Sequence, residues 1–172
     1  MNIRRATITD ATLLAQLAAK TFYETFAKDN TAENMAAHLE SSYSPELQLA
    51  ELTTPSHTFL IAEDAGEAIG FAHLILGSTE PVISGARPLE IHRIYVSQAY
   101  IGTGTGKALM QASIQEAMNN HCDCVWLGVW EKNPRAIAFY QRWGFVTVGT
   151  HIFDVGGDPQ QDYLMELKLS RP

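Results

Sequence analysis

LEIHRIYVSQAYIGTGTGKALMQASIQEAMNN, residues 89–120, passes from an apolar alternating run, through a turn of glycines, into a segment with helical apolar spacing. Residues 89–96 predict a strand, and KALMQASIQEAMNN from Lys107, with Ala108, Leu109, Ala112, Ile114 and Ala117, predicts a helix packed on a sheet. Between them Gly102, Gly104 and Gly106 alternate with Thr103 and Thr105. Several backbone N–H groups can there converge on one anion at the positive end of the helix dipole, and the missing side chains let a pyrophosphate come close. Lys107 adds a point charge to the same spot.

Two phosphate-binding loops can be excluded by register. A Walker loop ending at Gly106-Lys107 requires glycine at position 101 and Ser or Thr at 108, where Ile101 and Ala108 stand. A dinucleotide fingerprint requires a third glycine where Lys107 falls, and the loop lies well past the middle of the chain.

Upstream, residues 2–6 read as a short strand, and Thr9-Asp10 caps a helix carrying Leu13, Leu14, Leu17, Ala18, Phe22 and Phe26. Thr31 and Ser44-Pro45 start two further helices. TFLIAED and AIGFAHLIL flank Gly66 as an antiparallel hairpin. Downstream, CVWLGV reads as a strand and NPRAIAFYQRWGF as a short helix ending at Gly144. VTVGTHIF and DYLMELKL form a last antiparallel pair around DVGGDPQ. The fold class is therefore mixed α/β with a largely antiparallel sheet, expected as one domain over residues 1–172.

The chain has 172 residues and a formal charge of −7 from twelve basic and nineteen acidic residues. This balance disfavours nucleic acid and anionic membrane surfaces as partners and favours cationic small molecules. The N-terminus lacks the apolar stretch of a secretory signal, so a cytoplasmic location is expected. His121-Cys122-Asp123-Cys124 carries too few ligands for a closed zinc site, and both cysteines are expected reduced, with no metal bound.

The loop and its flanks resemble the central motif of the GNAT acetyltransferases, a strand running through (Gln/Arg)-x-x-Gly-x-(Gly/Ala) into a helix. LGVWEKNPRAIAFYQRWGF resembles the family's second motif, Asn-x-x-Ala-x-x-x-Tyr-x-x-x-Gly-Phe. The resemblance covers most of residues 58–169, and TFYETFAKDN is similar to the polyamine (spermidine/spermine) acetylating branch. It implies a GNAT fold, with a sheet of about six or seven strands flanked by helices and splayed between the fourth and fifth. It also implies acetyl-CoA as co-substrate and transfer of its acetyl group to a primary amine. Ile101 departs from the motif's Gln or Arg, so a side-chain contribution to pyrophosphate binding is absent and weaker cofactor affinity is expected.

Amide formation from a thioester requires a neutral amine, a positioned carbonyl and a proton for the departing thiolate. Asn133 and Tyr140, seven residues apart, project from nearly one face of their helix. The resemblance makes Tyr140 the general acid and Asn133 a contact to the cofactor arm. The residues alone equally allow Tyr140 as a core aromatic and Asn133 as the helix N-cap before Pro134. Strict alternation puts Glu90, His92, Ile94 and Val96 on one face of their strand and Leu89, Ile91, Arg93 and Tyr95 on the other. By resemblance, His92 or Glu90 takes the amine's proton. The resemblance also implies that the Ile94-Tyr95-Val96 backbone and the loop Ile101, Gly102, Thr103, Gly104, Thr105, Gly106 and Lys107 bind the cofactor. Phe22, Tyr23, Phe26 and Trp130 are candidates for the acceptor pocket. Three readings of function follow: a small-amine acetyltransferase with a polyamine favoured, an acetyltransferase of peptide or protein N-termini, and a CoA-binding sensor without catalysis. Pairing of edge strands into a homodimer is compatible with the family, and the sequence fixes no oligomeric state.

Overall fold

Short polar side chains start the helices where the sequence places them. In the computed structural model, which describes residues 1–169, Thr31 accepts from the Asn34 N–H at the start of α2 (Ala32–Ser42). Ser44 accepts from the Leu47 N–H at the start of α3 (Pro45–Thr53). The first helix, α1 (Ala11–Phe26), is entered through a single 3-10 turn. There Asp10 accepts from the Thr7 N–H at 2.7 Å and receives two hydrogen bonds from Arg4, both at 2.9 Å. One carboxylate thus ties α1 to the first strand, β1 (Asn2–Arg5).

The sheet contains seven strands in the order β1-β2-β3-β4-β5-β7-β6. Strands β2 (His57–Asp64), β3 (Glu67–Leu76) and β4 (Pro88–Val96) continue antiparallel from β1. Strand β5 (Cys124–Trp130) joins β4 in parallel, and β7 (Asp158–Lys168) and β6 (Val146–Val155) complete the sheet antiparallel. The last hairpin turns at Gly156-Gly157, so most of DVGGDPQ, expected as a connection, is strand. Gly156 has φ +62° and a Cβ there would lie 2.3 Å from the Asn34 carbonyl oxygen, so only glycine lets this turn rest on α2.

Helix α4 (Thr105–Asn119) crosses one face of the sheet, with α5 (Pro134–Arg142) beside it. Its buried residues are Thr105, Leu109, Met110, Ser113 and Ala117. Met110 and Ser113 thus join the core face, while Ala108, Ala112 and Ile114 flank it, a rotation of the expected stripe by a fraction of a turn. On the opposite face, Leu14, Leu17 and Ala18 of α1 pack on Phe59, Ile61 and Phe71. Phe22 and Phe26 meet Met35 of α2 and Val155 at the end of β6.

Candidate active site

One extra residue in β4 sets the geometry of the site. Leu74 of β3 pairs with Ile91 and the next residue back, His73, pairs with Arg93, so His92 is bulged out of the ladder. Two residues against one place His92 and Arg93 on the same side of the strand and break the alternation expected there. As a correction, Leu89, Ile91, Ile94 and Val96 pack toward α4, whereas Glu90, His92, Arg93 and Tyr95 face α1 and α3. Glu90 and His92 remain together, but Ile94 and Val96 do not join them.

Beyond the bulge β4 loses a neighbour. Its parallel pairing with β5 runs only through Pro88, Leu89 and Glu90, and among the described residues no later part of β4 pairs with β5. The Ser97 N–H donates to Ile69 of β3. With a period of two, Tyr95 and Arg93 also turn their backbone groups toward β3, and Ile94 and Val96 turn theirs into the gap. This divergence opens a cleft of about 690 Å³ through the sheet, lined by both faces.

The upper end of the cleft is the glycine loop. Gly102 and Gly104 have φ of +86° and +99°, and Gly104 is the N-cap of α4. The helix therefore starts at Thr105, two residues before the expected Lys107, and Gly106 lies in its first turn. Ile101, Gly102, Gly104, Gly106 and Lys107 line the cleft. Thr103 and Thr105 do not: the Thr103 hydroxyl donates to the Tyr100 carbonyl at 2.7 Å and lies 3.0 Å from the Thr105 hydroxyl, which staples the loop from inside. Sequence reading missed Arg135 and Arg142 of α5, which line the same cleft and raise its positive charge.

Helix α5 supplies the facing wall. Asn133 caps it, its Oδ1 accepting from the Ala136 N–H at 3.2 Å, and the same side chain lines the cleft. Tyr140 is 8% exposed, with its ring against Phe139 and Phe145. Among the described residues its hydroxyl forms no hydrogen bond, and burial raises its pKa well above that of a free phenol. The ring is buried in the core, and the same residue lines the cavity.

On the α1 side, His92 Nδ1 donates to Glu90 Oε1 at 2.8 Å, and the Ser78 hydroxyl donates to Glu90 Oε2 at 2.5 Å. Trp126 Nε1 donates to the Ser78 carbonyl at 2.8 Å and holds that segment in place. Burial works to raise the Glu90 pKa, but the hydrogen bonds from His92 and Ser78 outweigh it and the carboxyl ends below its ordinary value. Glu90 is thus ionised near neutrality, fixes the His92 Nδ1–H tautomer, and leaves Nε2 as the acceptor nitrogen. His73, buried on Phe59, meets the His92 ring edge-on at 5.1 Å between centroids, and burial keeps it neutral.

Of the aromatic candidates, Phe22, Phe26 and Trp130 line the cleft, while Tyr23 is exposed outside it. The Tyr95 side chain packs edge-on to Phe22 and Phe26, on the α1 side rather than with the loop. Asp162, His151, His38 and Phe153 also line this side, and none was singled out from the sequence. The Asp123 carboxylate accepts from the Ala86 and Arg87 N–H groups, both at 3.0 Å. Among the described residues no helix is long and apolar enough to cross a membrane.

A thin, phosphorylated arm such as that of coenzyme A fits this cleft. Unpaired backbone groups run along one wall, and left-handed glycines and the N-terminus of α4 stand at one end beside Lys107, Arg135 and Arg142.

The model of the GNAT family of acetyltransferases matches residues 14–145. An uncharacterized N-acetyltransferase of Lactobacillus delbrueckii is 32% identical over 89% of this chain and 88% of its own length. Another, of Mycobacterium bovis, is 34% identical over 94% of this chain and 99% of its own. A spermine/spermidine N(1)-acetyltransferase of Bacillus subtilis is 31% identical over 46% of this chain and 53% of its own. In fold, the chain is similar to the PaiA N-acetyltransferase of Thermoplasma acidophilum in complex with coenzyme A, with a TM-score of 0.79 and 23% identity over 98% of each chain.

Proposed function

The chain belongs to the GNAT acetyltransferase family, an acetyl-CoA-dependent acyltransferase, and from that premise we propose that it acetylates the primary amine of a small cationic acceptor, a polyamine before others. Acetyl-CoA supplies the activated acetyl group and a thiol as the leaving group. The observation that carries the reading is the divergence of β4 from β5, which leaves the backbone of Ile94 and Val96 unpaired directly below the glycine loop and opposite Tyr140.

In this reading Ile94 and Val96 hydrogen-bond the amides of the cofactor arm as a neighbouring strand would. The N–H groups of Gly102, Gly104, Gly106 and Lys107 hold its phosphates, with no side-chain help from Ile101. Asn133 uses its Oδ1 for the helix cap and has its amide N–H groups free for the arm. His92 Nε2 removes a proton from the acceptor ammonium, with Glu90 as the positioning residue that fixes its tautomer and stabilises the imidazolium. Tyr140 Oη donates a proton to the departing sulfur. Burial raises its pKa, so the phenol holds the proton it is to deliver across the neutral pH range.

The acidic balance of the chain and the aromatic and acidic lining on the α1 side support a cationic small molecule over a peptide. The test is acetyl-CoA-dependent thiol release with spermidine, spermine, diamines, amino acids and short peptides. Turnover with polyamines is expected. Turnover confined to peptides would move the acceptor to protein N-termini, and CoA binding without turnover on any amine would leave a sensor.

A further inference from the structure

Asp162 is an acid of the cleft whose carboxylate, among the described residues, accepts no hydrogen bond. It stands on β7, opposite Trp130 of β5 and His151 of β6. The residue is 8% exposed, and its Oδ1 is buried without a hydrogen-bond partner among the described residues. Its nearest basic group, His151 Nε2, lies 3.7 Å from Oδ2, beyond hydrogen-bonding distance. The other ring nitrogen of His151 is 3.9 Å from Glu80, which shares whatever positive charge that ring carries. Burial raises the Asp162 pKa, with His151 opposing, so the ionised form gains from a nearby cation. A buried carboxylate in this state is costly unless a cation completes it.

The neighbouring strand β5 leaves a window beside this acid. Gly128 carries no side chain, and a Cβ placed on it would lie 3.3 Å from Asp162 Oδ2 and 3.5 Å from His151 Nε2. Trp126 and Trp130, two residues to either side, project from the same face of β5 and line the same cleft. An alkylammonium group seated here gains an ion pair with the carboxylate and apolar contact for its methylenes along the aromatic lining. Glu90 is level with Trp126 and Asp162 with Trp130. Four strand residues separate these levels, a span of roughly 13 Å. A monoamine reaches one acid, whereas an extended chain with nitrogens at both ends reaches both.

We propose that Asp162 and His151, reached over Gly128 between Trp126 and Trp130, form the subsite for the non-reacting cationic nitrogen of the acceptor, making di- and polyamines the preferred substrates over monoamines. The proposal rests on the amine-acetylating reading above and assigns Asp162 a binding role distinct from the proton transfer given to His92.

Two variants test it. Asp162→Asn keeps the shape and removes the charge; Gly128→Ala keeps the charge and closes the window. Steady-state kinetics with spermidine, 1,4-diaminobutane and butylamine are measured alongside calorimetric binding of spermidine to the CoA-loaded protein, a readout that needs no turnover. Both variants are expected to raise KM for spermidine and diaminobutane and to weaken spermidine binding by at least about tenfold. In both, kcat and the butylamine kcat/KM are expected to stay within about twofold of wild type. An equal loss of kcat on all three amines would overturn the proposal by placing Asp162 at the reacting nitrogen, and unchanged KM values would overturn it by removing any role. Wild-type protein that acetylates butylamine but binds spermidine no more tightly would refute the subsite and leave acetyl transfer standing. Protein that acetylates no amine and binds no spermidine would refute both readings.

Discussion

Replacing Tyr140 by phenylalanine separates a structural from a chemical role, because the two roles reside in different parts of the side chain. The ring is packed between Phe139 and Phe145 at centroid distances of 5.5 and 5.9 Å, and phenylalanine retains it. The hydroxyl has no partner in the described protein, so its removal leaves no broken hydrogen bond and stability should change by less than about 0.5 kcal/mol. Loss of a general acid typically costs about 10²–10⁴-fold in rate, or about 2.7–5.4 kcal/mol in the barrier. Tyr140→Phe should therefore lower kcat by that factor while KM for acetyl-CoA and the melting temperature remain close to wild type. Because burial holds the phenol pKa high, wild-type kcat should show no loss at alkaline pH attributable to this group through pH 9. Thiol release across pH 6–9, with thermal melts on the same preparations, measures all of this. A lowered melting temperature with kcat intact would make Tyr140 a core residue only, and a raised KM with kcat intact would make it a binding residue.

Other parts of the molecule give sharper single readouts. Gly104→Ala meets no neighbouring atom but holds alanine at φ +99°, which costs about 1–2 kcal/mol of stability, and it sets a methyl group in the phosphate cradle. KM for acetyl-CoA should rise at least about tenfold with the acceptor KM unchanged. Asn133→Ala removes the cap on the Ala136 N–H and should cost about 1 kcal/mol, visible as a melting temperature lower by about 2–4 °C, together with a higher acetyl-CoA KM. The hydrogen bonds from Arg4, acting against burial, hold the Asp10 pKa at about 2, below the 3.8 of its unfolded form. The stability this contributes, about 2 kcal/mol, is present above pH 4 and is lost as pH falls from about 4 to 2. Denaturant melts of Asp10→Asn should show that loss at pH 7 and little difference from wild type at pH 2.

The starts of α2 and α3 were legible because Thr31 and Ser44 are local devices whose partners lie three residues away. The glycine loop was legible for the same reason, since Gly102 and Gly104 announce left-handed backbone. The start of α4 was read two residues late because Gly104 itself serves as the cap. The bulge at His92 was not legible: no glycine or special residue marks it in HRIYV, and it exists only in relation to the register of β3. Asp162 and His151 escaped notice because their meeting depends on β7 lying between β5 and β6, an order that alternation along one strand does not encode. Of the residues predicted for the cofactor loop, Thr105 is buried and Thr103 is exposed outside the cleft, and their hydroxyls bind within the loop, a pairing that composition alone does not specify.

The bulge has a consequence for how this strand can change over generations. With His92 set aside, Leu89, Ile91, Ile94 and Val96 alternate without interruption against Glu90, Arg93 and Tyr95, in step with β3. The packing instructions of β4 are complete without the histidine, which is carried as an insertion of one. A lineage can therefore gain, lose or replace the group at this place by a single-codon event while every core contact of the strand stays on its own side. A cleft-lining position that is decoupled in this way from the fold around it is free to vary.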